Sequence, residues 1–306
     1  MRTREILTAL GLMLVILSSS SWAADSTVVG WKKTLAVDLT TSQTAYSNSW
    51  VGGEAGSLNW VSDLNGTAER QFNPIFNLRS ILKLSFGQTV SQNETDKHWT
   101  KPRKATDLID WDNLGRLTLQ TFVDPYIAFR LQSQFTTELN PVHTVYLSPM
   151  TLTESFGIAR KFWSRGKNDI LISRLGFALR EVMSKNLVVD SLHDSLTSTL
   201  DTNYNTTDGG LESVTDAYVS FSERLIYTGK LTLYKAFFFS DKSKFAGTPQ
   251  ADDWKAIHVN WENGVTAQIT KVVTTKLYVQ LLYDKPISSR GRIKETLGLG
   301  FLFNLI

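Results

Sequence analysis

The sequence predicts an all-β protein, an antiparallel transmembrane β-barrel of about 12 strands, from three observations. Apolar and polar residues alternate in about a dozen separate segments, an apolar stretch behind two arginines begins the chain, and the 306 residues include no cysteine. The alternation is clearest in Glu295 to Ile306, where the odd positions are Leu297, Leu299, Phe301, Phe303 and Leu305. Since successive side chains of a strand point to opposite faces, this segment predicts a strand with one apolar face.

The N-terminus has the features of an export signal. Arg2 and Arg4 precede the apolar stretch Ile6 to Leu17, and Ser21-Trp-Ala23 places small residues where a signal peptidase reads. We expect cleavage after Ala23, export by the general secretory route and one barrel domain over 24–306, with a short segment to about residue 30. The stretch is shorter than the roughly 20 residues of a membrane-spanning helix. A buried N-terminal helix or an uncleaved anchor is the alternative.

Twelve segments carry the strand pattern. In chain order they are Trp31 to Leu39, Ser57 to Gln71, Phe76 to Gly87, Ile109 to Thr121, Pro125 to Leu139, Leu152 to Phe162, Leu171 to Arg180, Val214 to Leu225, Lys230 to Ser240, Trp254 to Ile269, Val273 to Asp284 and Glu295 to Ile306. An even number of strands is typical of bacterial single-chain barrels.

The connections alternate in length. Short turns are predicted at Phe72 to Ile75, Phe122 to Asp124, Trp163 to Asp169, Ile226 to Gly229 and near Lys271, and longer polar loops at about 41–56, 88–105, 140–150, 185–212, 241–253 and 285–292. Short periplasmic turns and longer extracellular loops are expected of an outer-membrane barrel. Lys185 to Glu212 would be the longest, flexible loop.

The polar face of the strands predicts the residues that line the lumen. The candidates are Asp63, Arg79, Lys83, Asp112, Arg116, Arg130, Arg174, Arg180, His258, Glu262 and Lys276. A soluble β-sandwich or lipocalin-like barrel could instead expose these charges to water. However, a soluble ring of about twelve strands would enclose more space than side chains can fill, so the pattern favours a membrane barrel.

We find no catalytic or cofactor-binding motif in the sequence, and we expect neither an enzyme nor a cofactor. Of the four histidines, His98, His143 and His193 lie in predicted loops, and His258 lies on a polar strand face. None belongs to a recognisable hydrolase motif, although an outer-membrane lipid hydrolase could use a loop histidine beside a serine.

Acidic residues offer one candidate cation site. Asp107, Asp110 and Asp112 could supply oxygen ligands to a hard cation such as Ca²⁺, but pairing with Arg79, Arg116 or Arg130 accounts for them more simply. No metal site is therefore expected. The formal net charge of +3 gives no electrostatic case for binding nucleic acid.

Five short motifs resemble the uncharacterised outer-membrane family called domain of unknown function 3078. They are Trp50-Val-Gly-Gly53, Lys104-Ala-Thr-Asp107, Val259-Asn-Trp-Glu-Asn263, Leu282-Tyr-Asp284 and Glu295-Thr-Leu-Gly-Leu-Gly300, in an order that would extend over nearly the whole exported chain. The resemblance implies a protein of the Gram-negative cell envelope and brings no assigned activity.

These observations together predict an outer-membrane barrel with a narrow polar pore or another role in transport. Because the lumen row mixes both signs of charge, weak ion selectivity is expected. A non-catalytic structural or surface-binding barrel is the second hypothesis, and a lipid hydrolase is the third. The expected partners are outer-membrane lipids, lipopolysaccharide and, during biogenesis, the barrel-assembly machinery. The sequence leaves the oligomeric state open.

Overall fold

A computed structural model describes residues 30–46, 55–93, 95–119, 121–138, 144–165, 169–189 and 198–306. The strands are β1 Gly30–Thr44, β2 Ser57–Gln71, β3 Phe76–Ser91, β4 Arg103–Leu117, β5 Asp124–Ser133, β6 Thr136–Glu138, β7 Thr144–Tyr146, β8 Met150–Arg165, β9 Asp169–Val189, β10 Ser198–Ser222, β11 Leu225–Phe239, β12 Ile257–Gln268, β13 Val273–Tyr283 and β14 Arg292–Asn304. Two short 3-10 helices, Lys242–Phe245 and Asp253–Lys255, lie between β11 and β12.

Twelve of the strands close into one antiparallel barrel. The order around it is β1-β14-β13-β12-β11-β10-β9-β8-β5-β4-β3-β2, and β2 returns to β1. The barrel closes through β1 and β14, which pair from Ala36 opposite Asn304 to Thr41 opposite Leu299. The remaining strands, β6 and β7, form a separate hairpin between β5 and β8. The predicted fold class is therefore confirmed.

The two ends of the barrel differ. At the short-turn end, where β1 begins and β14 ends, the linkers include 72–75, 223–224 and 269–272. At the long-loop end, the connections include 92–102, 240–256 and 284–291. This alternation matches the prediction. Within the described residues, no helix has the length and apolar character needed to cross a membrane.

The two faces of the sheet are chemically distinct. The predicted apolar row is exposed on the outside, with Leu297, Leu299, Phe301 and Phe303 on β14 and Leu305 just after it. The opposite face carries buried charged groups, for example Asp110, Asp112, Arg130 and Arg174. Because ion pairs join strands that are not neighbours, that face must be the inside of the closed barrel. The apolar side chains consequently form the outer surface, and the charges line the lumen.

The predicted long loop at Lys185 to Glu212 is wrong. β9 continues to Val189 and β10 starts at Ser198, and these two ends pair with each other. β8 pairs with β9 only as far as Met183, and β11 pairs with β10 only as far as Asp208, so the hairpin tip extends beyond both neighbours. The sequence of this stretch is rich in Ser, Thr, Asp and Asn and has no alternating apolar row, so it lacks the period that identifies the other strands.

Smaller differences concern where strands begin and end. β4 begins at Arg103 rather than Ile109, and the segment predicted to continue from β5 to Leu139 ends at Ser133. The segment predicted from Trp254 begins at Ile257, after a 3-10 turn. These residues lie at the long-loop end, where flanking loops also supply hydrogen-bond partners. Asp107, for example, accepts bonds from the backbone N–H groups of Phe135 and Thr136. The alternation of apolar and polar residues cannot predict hydrogen bonds between a strand and a loop.

Candidate functional site

Three charged side chains meet inside the barrel from three separate strands. The Asp112 carboxylate on β4 accepts hydrogen bonds from Arg174 on β9, Nη2 to Oδ2 at 2.8 Å and Nη1 to Oδ1 at 3.2 Å. It also pairs with Lys230 on β11, Nζ to Oδ2 at 3.1 Å. In the strand order, β9 lies three positions from β4, and β11 lies five. In a ring of twelve strands, five positions is nearly the opposite wall, so Lys230 and Asp112 span the lumen.

A second ion pair lies beside these three residues. Arg130 on β5 donates Nε to Oδ1 and Nη2 to Oδ2 of Asp110, both at 2.7 Å. This is the bidentate geometry that makes arginine–carboxylate pairs strong and directional. In the β4–β5 register Arg130 stands opposite Asp112, so the two pairs are adjacent. We call Asp110, Asp112, Arg130, Arg174 and Lys230 the lumen cluster; each is 6% exposed or less.

Small residues on the surrounding wall leave room for these long side chains. Ala128, Ala159 and Ala178, on β5, β8 and β9, are buried and point inward beside the arginines. Gly157 and Gly176 face each other between β8 and β9, and a Cβ on Gly176 would lie 2.5 Å from the Tyr126 hydroxyl. Larger side chains here would occupy the space through which Arg174 crosses towards Asp112.

The cations of the lumen cluster also have acidic neighbours within the sheet. Lys230 stands opposite Asp216 on β10 and opposite Glu262 on β12. Acidic and basic side chains therefore both surround the Lys230–Asp112 contact. Such an arrangement gives each buried charge a neighbour of the opposite sign.

The strand register places all the predicted lumen residues on the inward face. Those outside the cluster are Asp63, Arg79, Lys83, Arg116, Arg180, His258, Glu262 and Lys276. Lys276 on β13 pairs with Asp63 on β2, Nζ to Oδ2 at 2.6 Å, across three strand positions. Arg116 pairs with Asp124 at 3.4 Å near the short-turn end.

A polar network lines the long-loop end of the lumen. Arg180 binds Asp208 through Nε and Nη2, both at 2.8 Å, and its guanidinium lies 3.7 Å from the centre of the Tyr234 ring. The Tyr234 hydroxyl donates to Asp208. His258 contacts the Tyr234 ring edge-on, and its Nδ1 lies 3.2 Å from Asp284 Oδ1. His258 is thus held by neighbouring side chains in the lumen wall.

The sequence did not single out several residues that take part in these contacts. Lys230 is the first residue of its predicted strand, Asp208 lies in the predicted long loop, and Lys230, Asp208 and Tyr234 are not among the lumen candidates. On β11, Lys230, Thr232 and Tyr234 alternate with Leu231 and Leu233, and this signal could have identified the inward row. Lys294, which donates to Thr106 Oγ1 at 2.7 Å from four strands away, was also missed.

The three aspartates suggested as a cation site, Asp107, Asp110 and Asp112, each bind different partners in the structure. Asp110 pairs with Arg130, one of the three predicted partners, whereas Asp112 pairs with Arg174 and Lys230. Asp107 binds Lys104 and the backbone after β5. Over the described ranges, no group of three or more His, Asp or Glu side chains is placed to hold a metal ion.

The predicted export signal, its cleavage point after Ala23 and the histidines His143 and His193 lie outside the described residues. His98 lies in the connection between β3 and β4, where its backbone N–H donates to Asp96.

Residues 41–138 match a family model described as protein of unknown function, DUF3078. The resemblance inferred from the sequence is thereby confirmed over this part of the chain. The motifs at Trp50 and Lys104 fall inside the matched residues, and the three motifs after residue 250 fall outside them. No curated protein matches the chain.

Several solved structures are similar in architecture. The COG4313 outer membrane channel from Pseudomonas putida F1 is 12% identical, with 92% of this chain and 99% of that chain covered and a TM-score of 0.43. The translocator domain of the autotransporter NalP from Neisseria meningitidis is 9% identical, with 97% of each chain covered and a TM-score of 0.33. OmpF of Salmonella typhi, in complex with daunomycin, is 12% identical, with 89% and 97% covered and a TM-score of 0.27.

Proposed function

We propose that this protein is an outer-membrane barrel that forms a narrow, polar pore, and that the lumen cluster is its constriction. A closed barrel leaves no unpaired strand edge, which is the condition for crossing a bilayer with strands. An apolar exterior around a charged interior is the arrangement that such barrels adopt in lipid. Both features support the membrane assignment.

The observation that carries the pore proposal is the Lys230–Asp112 contact across the lumen. The ion pair narrows the lumen at its own level, and the Lys294–Thr106 and Lys276–Asp63 contacts also join strands that are not neighbours. Arg174 and Lys230 both reach Asp112, and Lys230 does so from the more distant wall, so the proposal assigns the width of the passage at this level to Lys230. Small ions and small polar solutes are the class that a constriction of this kind would pass, with weak selectivity.

The test is single-channel recording of the purified barrel in planar lipid bilayers. We expect small current steps from the wild type and larger steps from Lys230→Ser, because the shorter side chain removes the contact with Asp112. Lys83→Ser is the matched control. It removes the same charge from the inward wall of β3, where the side chain stands beside Asp110 rather than across the lumen. Equal conductance of both variants would contradict the assignment of the constriction.

A sealed structural or surface-binding barrel is the second candidate, and one observation favours it. The β9–β10 hairpin extends past both neighbouring strands at the long-loop end. A projecting ribbon is a suitable contact surface outside the membrane, and a lumen crossed by ion pairs could serve stability alone. Absence of both current and solute flux from the wild type and from Lys230→Ser would select this candidate.

A further inference from the structure

Three of the charged side chains on the outward face of the barrel lie among apolar residues on β8, β9 and β11. Glu154 on β8 stands between Phe129 and Leu179 in the strand register, and Lys235 on β11 stands between Leu211 and Ile257. Glu181 on β9 is opposite Leu152. All three are exposed. The cost of a charge that faces lipid depends on its depth in the bilayer, and a partner of opposite charge offsets that cost.

None of the three has an ion pair or side-chain hydrogen bond among the contacts of the described chain. Glu154 and Lys235 cannot meet within one barrel wall, because β9 and β10 separate β8 from β11. Glu154 and Lys235 carry opposite charges and both face outward. Three strand positions separate β8 from β11 in the barrel wall.

An exposed apolar band joins the two edges of this surface. Lys235, Leu211, Phe177 and Phe156 are consecutive register partners across β11, β10, β9 and β8. Phe156 is 62% exposed and Leu211 is 44% exposed. The band thus carries a base at its β11 edge, acids on its β8 and β9 side and large apolar side chains between them.

Below this band, small side chains lie between large exposed ones such as Leu175 and Ile158, each 45% exposed. Ser173 and Thr215 hydrogen-bond to each other at 2.9 Å, and Ser213 and Ala217 lie on the same outward row of β10. Within a membrane, small residues let two protein surfaces approach closely, and hydroxyl groups can add hydrogen bonds between them. This favours contact with protein over contact with lipid tails.

We propose that the outward face of β8–β11 is the interface of a homodimer in the membrane, in which Lys235 of each copy meets Glu154 of the other. A two-fold axis parallel to the barrel axis, between β9 and β10, brings β11 of one copy opposite β8 of the second. Because a two-fold interface is self-complementary, a base on one edge and an acid on the other edge form two equivalent contacts. Glu181, nearer the axis, supplies a further acid beside the incoming Lys235.

A second copy explains the surface better than a lipid headgroup. A lysine alone could reach a lipid phosphate, but the exposed acids Glu154 and Glu181 would face the same anionic groups without a counter-charge. The pairing rests on the proposed placement in a bilayer. Heat-modifiable migration on a gel reports barrel folding separately from dimer formation, so failure of either proposal is distinguishable.

Cysteine cross-linking tests the geometry directly, since the chain contains no cysteine of its own. Leu211→Cys places one thiol near the proposed axis, and Leu39→Cys places one on β1, on the far wall, where Leu39 is exposed. In native membranes under mild oxidation, we expect a disulfide-linked dimer from Leu211→Cys and not from Leu39→Cys. Equal cross-linking of the two folded variants would overturn the proposal.

Complementary charge reversal provides the second test. One chain carries Lys235→Glu, the other carries Glu154→Lys with Glu181→Lys, and both carry Leu211→Cys. Each chain alone should lose the cross-linked dimer, because like charges then meet at both contacts. Co-expression should restore a mixed dimer, in which both contacts are again opposite in sign. Folded chains that cross-link as fully as Leu211→Cys alone would overturn the proposal, as would loss of bound lipopolysaccharide from Lys235→Glu with cross-linking unchanged.

Discussion

Lys230 Nζ and Asp112 Oδ2 lie 3.1 Å apart although 118 residues separate them in the chain and five strand positions separate them around the barrel. The contact forms only when the sheet is closed, because an open sheet would keep β4 and β11 far apart. Closure of the barrel therefore brings together the two side chains that are proposed to set the width of the lumen. Arg174 binds the same carboxylate from a third strand, so one acidic group holds two cations.

Removal of that carboxylate should destabilise the barrel strongly. Asp112→Asn leaves Arg174 and Lys230 without their shared counter-charge, and breaking a buried pair in this way costs about 3–5 kcal/mol of unfolding free energy. Denaturant titration of the barrel in lipid vesicles measures the change. Asp252→Asn is the control: Asp252 pairs with Lys255 in an exposed loop, and its loss should cost less than about 1 kcal/mol. Similar losses in the two variants would contradict the structural role of the lumen cluster.

The outward and inward faces should tolerate a new positive charge very differently. Leu299→Arg places the charge on the exposed apolar row of β14 and should cost about 2–4 kcal/mol in a bilayer. Gln280→Arg places it on the inward face of β13, opposite Glu262, and should cost much less. In the same comparison, Leu131→Arg and Val279→Arg on the outward face should each cost more unfolding free energy than Gln132→Arg on the inward face. Equal tolerance on both faces would rule out the lipid-facing assignment.

Titration of Tyr204 should report the contact between the β9–β10 hairpin and the loop after β11. Its hydroxyl donates to Asp241 Oδ2 at 2.6 Å, and this bond, with burial, raises the pKa of Tyr204 to about 12. The folded state holds the proton more tightly than the unfolded chain, so this contact contributes fully below about pH 10 and is lost as the pH rises towards 12.

The measurement is the difference in tyrosinate absorbance between the wild type and Tyr204→Phe across that range. Asp241→Asn is the companion variant: without the carboxylate, the Tyr204 step should move down towards the ordinary pKa of tyrosine. A step already near the ordinary value in the wild type would show that the two residues are not in contact.

Replacement of the loop histidines should have no effect on envelope lipids. Because the sequence around His98, His143 and His193 contains no hydrolase motif, we expect the triple alanine variant to keep wild-type growth, lipid profile and heat-modifiable folding. Mass spectrometry of extracted envelope lipids is the check. An unprocessed lipid that accumulates only in this variant would favour a lipid hydrolase, and single-histidine variants would then identify the residue responsible.

The sequence by itself determined the strand number, the alternation of short and long connections, and which face of each strand is apolar. These properties are local: period-2 alternation in segments such as Phe76 to Gly87 follows directly from strand geometry. The inward placement of residues such as Arg130 and Lys276 could be predicted for the same reason, without knowledge of any partner.

Only the tertiary structure decided which of those residues meet. Asp112 was expected to pair on a neighbouring strand, but its partners lie three and five positions away, since barrel closure brings distant strands face to face. The common outward orientation of Glu154 and Lys235 likewise depends on the register of β8 through β11. The hairpin from Lys185 to Glu212 escaped prediction because backbone pairing joins its two strands, and its sequence, rich in Ser, Thr, Asp and Asn, has no apolar period.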